Sequence, residues 1–198
     1  MLLDRAPRFL WEMPWGRQDR KLLKHAGRLL GEVLKQTGAV TLLTDGERRD
    51  GSLVFELWGQ ALRNGKRGRP QKTRPKGVTV RLKNKGSHRH RRGPKQPQEQ
   101  APYLEHPDTA QSVATNERHA KHLAAFHTSL RRRCAAYRRR TNMYAKYTGR
   151  LQERVDVYWI VHNFVRVHFT TRQVPAVALG ILGHGFALHE IFLIQKAA

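Results

Sequence analysis

The chain has little cysteine, few acidic residues and no long apolar run. Its single cysteine, Cys134, excludes an internal disulfide framework and suits a reducing compartment. The longest stretch without charge, residues 173–189, contains one proline and three glycines and is shorter than the roughly 20 apolar residues of a membrane-spanning helix. Residues 1–5 carry an acid and a base where a signal peptide has its apolar segment. We therefore expect no membrane partner and a cytoplasmic location.

The shortage of acid leaves a large positive charge. Fifteen acidic residues face 38 lysines and arginines among 198 residues, which gives a formal net charge of +23. Such an excess repels itself in a compact state unless a polyanion neutralises it. Nucleic acid is therefore the first partner to consider, ahead of any small-molecule substrate. The 39% of hydrophobic residues can build a core and excludes a wholly disordered chain.

Residues 1–64 carry the pattern of a partial α/β core. Residues 1–15 predict two short apolar strands joined by a turn at Ala6-Pro7, and residues 19–35 predict an amphipathic helix stopped by Gly38. A buried strand is expected over residues 39–44, and a second helix over residues 53–62. The order strand, strand, helix, strand, helix is typical of layered α/β domains. Because the first strand begins at once, we expect that an N-terminal portion of the domain is missing.

Residues 65–110 form a basic loop region with a Pro-rich connector. Fourteen lysines and arginines and no acid lie between Arg63 and Lys95. Only residues 78–82 alternate as a strand, so we expect the flanking loops to become ordered on a polyanionic partner. The alternative is a solvated loop without function.

The third part, residues 111–198, is predicted to be helical. One helix is expected from about Thr115, with a buried stripe of Leu123, Phe126 and Leu130, and another over residues 151–169, followed by an apolar tail. Two arginine triplets bracket Tyr137 between these helices. The predicted DNA contacts of both basic regions are Lys66, Arg67, Arg69, Lys72, Arg74, Lys76, Arg81, Lys83, Lys85, Arg89, Arg91, Arg92, Lys95, Arg131, Arg132, Arg133, Arg138, Arg139 and Arg140.

Asp45 is the first candidate for chemistry because it follows the most apolar predicted strand. Phosphoryl transfer on nucleic acid commonly uses two Mg²⁺ ions held by clustered carboxylates, and strand ends are the usual place for them in a mixed α/β domain. The Asp-Gly pair is also an ordinary turn signal, which is the alternative interpretation of this residue.

Five segments together resemble one known family. They are residues 42–49 (LLTDGERR), 122–133 (HLAAFHTSLRRR), 139–141, 158–168 (YWIVHNFVRVH) and 174–180 (VPAVALG). In this order and spacing they resemble the bacterial insertion-element DDE transposases, in the group typified by the first-described insertion sequence. The resemblance extends over about residues 2–180. It implies an RNase H-like fold, incomplete here at its N-terminus, with a basic loop insertion and a C-terminal helical segment.

The resemblance also implies a metal site. Members of the family bind two Mg²⁺ with two aspartates and one glutamate, cut transposon ends and join them to target DNA. Asp45 then corresponds to the second acid, whereas the position of the first acid falls before Met1 and leaves Asp4 as a fallback. The third acid is expected at Ala124, whose methyl group cannot bind a metal. Glu117 shares a helix face with Ala124 but lies two turns away, about 10.5 Å along the axis.

Three hypotheses follow. The main one is a truncated, catalytically inactive transposase relative that keeps a DNA-binding surface and becomes nucleoid-associated when bound, with self-association left open. The second is a catalytically active enzyme that completes a metal site around Asp45 by dimerising or by using Glu117, Glu47 or Asp4. The third is a non-enzymatic RNA-binding or ribosome-associated protein, for which interleaved arginine and tyrosine are also natural. A zinc site on the clustered histidines is not expected, because no cysteine or acid joins them.

Overall fold

The computed structural model describes ten segments of the chain, in two compact units. The described residues are 1–14, 20–44, 54–63, 65, 67–84, 98–100, 105–109, 121–138, 142–143 and 145–194. The terminal unit consists of residues 1–17 and 122–198, and the central unit of residues 18–121. This grouping differs from the predicted boundaries at residues 64 and 110, because both ends of the chain share one unit.

The central unit begins with helix α1, Arg20–Thr37. The predicted amphipathic helix is confirmed. Gly38 ends it as expected: its φ of 70° lies in the left-handed region that favours glycine, and its N–H donates to the carbonyl of Leu34. None of the described helices, of which α1 is the longest, combines the length and the hydropathy needed to cross a membrane.

A three-stranded mixed sheet forms the centre of this unit. Its strands are β3 (Val40–Thr44), β6 (Val78–Asn84) and β7 (Gln98–Gln100), in the order β3-β6-β7. β3 and β6 are parallel, with Val40 opposite Val78, whereas β7 is antiparallel to β6. The buried residues Val54, Val78 and Val80 form the core, against which Leu34, Leu42 and Trp58 pack. The mixed α/β class predicted from the sequence is therefore confirmed.

A separate antiparallel pair, β4 (Gln60–Leu62) and β5 (Gln71–Thr73), corrects two predictions. Of the described residues in the helix expected over residues 53–62, 54–58 are helical, and we label them α2, whereas 59–62 are not. Gly59 closes its last turn by donating to Phe55, and the chain then enters β4. Pairing with β5 satisfies the backbone of β4, so a tertiary contact overrides the helical spacing of its apolar residues. The described residues of the basic region therefore contain three strands, β5, β6 and β7, where the sequence predicted one.

The terminal unit packs two strands and two helices around one cluster. β1 (Leu2–Leu3) and β2 (Leu10–Glu12) are antiparallel, as predicted for the start of the chain. Helices α3 (Lys121–Arg133) and α4 (Thr148–Ile160) follow. The buried core consists of Leu10, Phe126 and Leu130, and it is surrounded by Leu3, Met13, Cys134, Tyr137, Tyr158 and Trp159. Residues 111–120, where the third helix was expected to begin, lie outside the described residues.

The second predicted helix of this unit, residues 151–169, ends earlier than expected. α4 passes into one π-helical turn, Val161–Val165, and Arg166 N–H donates to the carbonyl of Val161. The chain then reverses, because the N–H of His168 donates to the carbonyl of Gln173. Two short helices, α5 (Pro175–Ala178) and α6 (Leu188–Leu193), lie within the predicted apolar tail. The turn of residues 168–173 thus replaces the last part of the predicted helix.

Candidate nucleic-acid interface

The β4–β5 hairpin presents exposed cations on the central unit. Arg67, Arg69 and Lys72 are exposed, and they lie in or next to the connection between the two strands. Gly65 and Gly68 adopt positive φ values of 71° and 121° there, conformations that residues with a Cβ rarely take. Arg63, directly after β4, and Lys76, three residues beyond β5, are also exposed. Because no acid occurs in this stretch, the hairpin concentrates positive charge in water.

Two other arginines of the basic region point inwards. The side chain of Arg74 is 0% exposed, and its Nη1 donates to Glu105 Oε1 at 3.2 Å. Arg81 Nη1 also donates to Glu105 Oε1, and its Nη2 lies 3.4 Å from Oε2 of the same residue. Glu105 is itself largely buried, with 8% of its side chain exposed. One carboxylate thus holds two guanidiniums inside the central unit.

This arrangement changes the predicted set of phosphate contacts. Arg74 is enclosed in the unit, where a phosphate group does not reach it, and Arg81 is largely covered. Sequence reasoning missed Glu105. The sequence placed Arg81 in a predicted strand, but only the structure shows that Thr79 and Val80, on the two faces of that strand, are both buried. A buried guanidinium needs a carboxylate nearby.

The arginine triplets on the terminal unit are only partly exposed. Arg132, Arg133 and Arg138 are exposed, whereas Arg131 is half-buried. Tyr137, which they bracket, packs against the core cluster of the unit. Burial, and then the neighbouring Cys134, raises the pKa of its phenol. Tyr137 is therefore partly buried against the core, and the exposed cations of this segment among the described residues are Arg132, Arg133 and Arg138.

Several predicted contacts cannot be placed. Lys83 lies in β6, but only its backbone is described. The predicted contacts outside the described residues are Lys66, Lys85, Arg89, Arg91, Arg92, Lys95, Arg139 and Arg140. Their role in binding DNA stays a prediction.

The acids predicted for a metal site are not brought together in the described part of the chain. Asp45, Glu47 and Glu117 lie outside it, although β3 does end at Thr44, directly before Asp45. Asp4 accepts the N–H of Ala6 at 3.1 Å and so stabilises the turn between β1 and β2. Among the described residues, no three histidine, cysteine or acidic side chains are close enough to share a metal ion.

Ala124 lies on the exposed side of α3. Its carbonyl accepts the hydroxyl of Thr128, and its methyl group faces solvent. A carboxylate at this position would therefore be accessible, but alanine offers no ligand for a metal ion.

The segment of residues 158–168 has a structural task that the sequence did not reveal. Asn163 accepts the N–H of Leu10 with Oδ1 and donates to its carbonyl with Nδ2, each at 2.9 Å. Trp159 Nε1 donates to the same carbonyl at 2.6 Å. His162 Nε2 lies 2.9 Å from the carbonyl of Arg8. Three side chains of one helical segment thus hold the residues that lead into β2.

His162 is buried in an electropositive environment. Burial lowers the pKa of this imidazole, the hydrogen bond to the Arg8 carbonyl opposes that effect, and His168, Arg166 and Arg133 lower the pKa further. Its ring stacks on Tyr158 with centroids 6.3 Å apart. Neutral His162 therefore donates from Nε2 to the Arg8 carbonyl and leaves Nδ1 without a proton.

Comparisons of this chain with protein-family models, with curated proteins and with solved structures give no match. The candidate interface consequently rests on its own charge and geometry, namely the exposed cations of the β4–β5 hairpin and of residues 132–138.

Proposed function

We propose that this protein binds duplex DNA through the phosphate backbone and is a transposase relative without catalytic activity. The observation that carries the proposal is the cluster of exposed cations on the β4–β5 hairpin, in a segment without acid and a chain of net charge +23. Lysine and arginine contacts to phosphate supply most of the affinity of non-specific DNA binding. They position a protein on the duplex without reading its sequence.

The proposed lineage has support at the coarse level of the fold. A mixed sheet with the parallel pair β3 and β6 is compatible with an RNase H-like core. In such a core Asp45 would bind Mg²⁺ as the second acid, because it follows β3. The methyl group of Ala124 supports the proposed loss of activity, since two Mg²⁺ ions need several carboxylates around them.

Salt dependence of DNA affinity tests the proposal. A fluorescently labelled duplex is titrated with the full chain at several salt concentrations between about 50 and 200 mM. Over this range, six to ten phosphate contacts predict a loss of about 10³ to 10⁵ in affinity. A neutral polymer of similar length serves as the control ligand. Absence of binding at low salt, or an affinity that barely changes over this range, would contradict the electrostatic interpretation.

Competition between nucleic acids tests the choice of partner. Structured RNA and duplex DNA of equal phosphate content are added to a preformed complex with labelled duplex. We expect duplex DNA to compete at least as well as RNA, because the proposed contacts are to phosphates of the duplex. A marked preference for RNA would favour an RNA-binding or ribosome-associated protein instead.

A further inference from the structure

Arg8 has an unusual backbone in the turn before β2. Its φ is 62°, in the left-handed region that residues other than glycine seldom occupy. The turn is closed on one side by Asp4 N–H, which donates to the carbonyl of Phe9 at 2.8 Å. On the other side His162 contacts the carbonyl of Arg8 itself. Strained residues that their surroundings hold in place are concentrated at functional sites.

The side chain of Arg8 is also unusual. Two of its guanidinium nitrogens, Nε and Nη1, are enclosed and have no hydrogen-bond partner within the described part of the chain. Nη2 is not among the enclosed atoms. A charged donor that is buried without an acceptor is costly and rare in folded proteins.

The groups around Arg8 add positive charge. Burial lowers the pKa of the Arg8 guanidinium, and the charge of Arg5 lowers it further. Burial likewise lowers the pKa of His168, followed by the charges of Arg8 and Arg166. In the sequence, no acid occurs between Asp156 and Glu190 to offset these cations. The acids nearest to Arg8 along the chain are Asp4, whose Oδ1 accepts the N–H of Ala6, and Glu12, and the enclosed Nε and Nη1 of Arg8 are hydrogen-bonded to neither.

His168 is oriented as a hydrogen-bond donor. Its Nδ1 accepts the N–H of Thr170 at 3.3 Å, which leaves the proton of the neutral ring on Nε2. Its ring centroid lies 6.3 Å from that of His162, the residue that contacts the Arg8 carbonyl. Arg166, two residues earlier, is exposed.

We propose that Arg8, His168 and Arg166 form an anion site for one phosphate group of the DNA backbone. This inference rests on the proposed function and adds to it a phosphate contact outside both basic regions. The phosphate oxygens approach Nη2, and rotation of the side chain gives the other nitrogens an acceptor as well. A planar guanidinium matches the geometry of a phosphate, and the ligand supplies the acceptor oxygens that Nε and Nη1 of Arg8 do not find among the described residues.

Substitution of Arg8 by methionine separates binding from folding. Arg8→Met removes two enclosed nitrogens, Nε and Nη1, that have no hydrogen-bond partner among the described residues, so we expect an unchanged or higher Tm in phosphate-free buffer. Inorganic phosphate should raise the Tm of the natural protein above its value in sodium chloride of equal ionic strength, and this difference should vanish in Arg8→Met. The control is Arg154→Met, an exposed arginine on α4 of the same unit, which should keep it.

DNA affinity supplies the second arm. We expect Arg8→Met to weaken duplex binding at least about tenfold, as for one charge-assisted hydrogen bond, and Arg154→Met to weaken it by less than about threefold. Arg8→Lys keeps the charge but not the planar guanidinium, so its affinity for duplex DNA should lie between the affinities of the two methionine variants. If Arg8→Met does not fold, Arg8→Lys serves as the test.

Each result decides one claim. Equal DNA affinity of Arg8→Met and Arg154→Met overturns the assignment to DNA, even if inorganic phosphate still stabilises the natural protein. If inorganic phosphate raises the Tm of neither Arg8→Met nor Arg154→Met, the assignment of an anion site to Arg8 is also overturned. If the natural protein fails to bind duplex DNA at all, the proposed function fails, whereas the thermal experiment still decides whether Arg8 holds an oxyanion.

Discussion

At the scale of single residues, burial separates cations that look alike in the sequence. Arg67 and Arg69 are exposed, whereas Arg74 is enclosed and bound to Glu105. Taking a guanidinium out of water is costly unless a carboxylate compensates it. Glu105 provides that compensation for Arg74 and Arg81 together. It is therefore the acidic residue on which the interior of the central unit depends.

Removal of the Glu105 charge should destabilise the protein strongly. Glu105→Gln leaves two guanidiniums without their anion, and breaking a buried pair of this kind typically costs about 3 to 5 kcal/mol. The measurement is urea unfolding at pH 7. Asp108→Asn, which removes the same charge at an exposed position three residues away, is the matched control and should change stability by less than about 0.5 kcal/mol. Equal effects of both variants would contradict the proposed role.

His162 should make stability depend on pH. Its folded pKa lies below the unfolded value of about 6.5, so the unfolded chain takes up the proton first. The stability is full above about pH 6.5 and decreases as the pH falls from there towards the folded pKa. We expect His162→Gln, which keeps an N–H donor for the Arg8 carbonyl, to reduce the loss in urea midpoint between pH 7.5 and pH 5, a span that starts above the unfolded pKa and ends below it. An exposed-histidine control, His184→Gln, should leave that loss unchanged.

At the scale of elements, the apolar spacing of the sequence predicted correctly those segments whose apolar residues pack against a core. α1 and β3 match their predictions because their apolar residues face the core that Val78 and Val80 build. β4 does not, because its pairing with β5 depends on residues about ten positions later. The helix predicted over residues 151–169 likewise ends early, near Asn163, whose side chain forms two hydrogen bonds with the backbone of Leu10.

The hairpin itself can be tested as a DNA-binding element. The triple variant Arg67→Gln, Arg69→Gln, Lys72→Gln removes three exposed cations, which should reduce the slope of log K against log salt by about 2.7, or 0.9 for each lost contact. The control removes three exposed cations from α1, Lys24→Gln, Arg28→Gln and Lys35→Gln, and should alter the slope by less than about 1. Similar changes in both variants would show that net charge matters and the hairpin does not.

At the scale of the whole molecule, the proposed loss of activity depends on the number of carboxylates. A Mg²⁺ pair needs more ligands than Asp45 alone supplies, and Ala124 supplies none. We therefore expect no cleavage or strand transfer on linear transposon ends with Mg²⁺ or Mn²⁺. Gel analysis of labelled ends is the measurement, and Asp45→Asn should leave the pattern unchanged. Activity that Asp45→Asn abolishes would contradict the proposal.

Restoring one acid should not restore the reaction. Ala124→Glu alone should remain inactive, because Asp45 and one added glutamate still supply fewer carboxylates than the three acids that the proposed lineage implies for a Mg²⁺ pair. Ala124→Gln, which has the same length without the charge, is the matched control. Cleavage by Ala124→Glu but not by Ala124→Gln would show that another residue already supplies the remaining carboxylate.

Only the exposed part of the candidate site could be predicted from the sequence. Composition and the acid-free run identified the exposed cations of residues 67–72, since charge density is a property of the sequence alone. The interior ion pairs of Glu105 had no comparable local signal, and neither had the Arg8 guanidinium, whose Nε and Nη1 have no hydrogen-bond partner in the described part of the chain. Arg8 lies more than 150 positions from His162 in the sequence, although the two are in hydrogen-bond contact.

The sequence by itself determined the net charge, the mixed α/β class and elements such as α1 and β3, because these depend on composition or on the spacing of nearby residues. Only the tertiary structure decided which arginines face water, where α2 gives way to β4, and which backbone groups Trp159 and Asn163 bind. Those outcomes depend on desolvation and on hydrogen-bond partners that the chain brings together from distant positions.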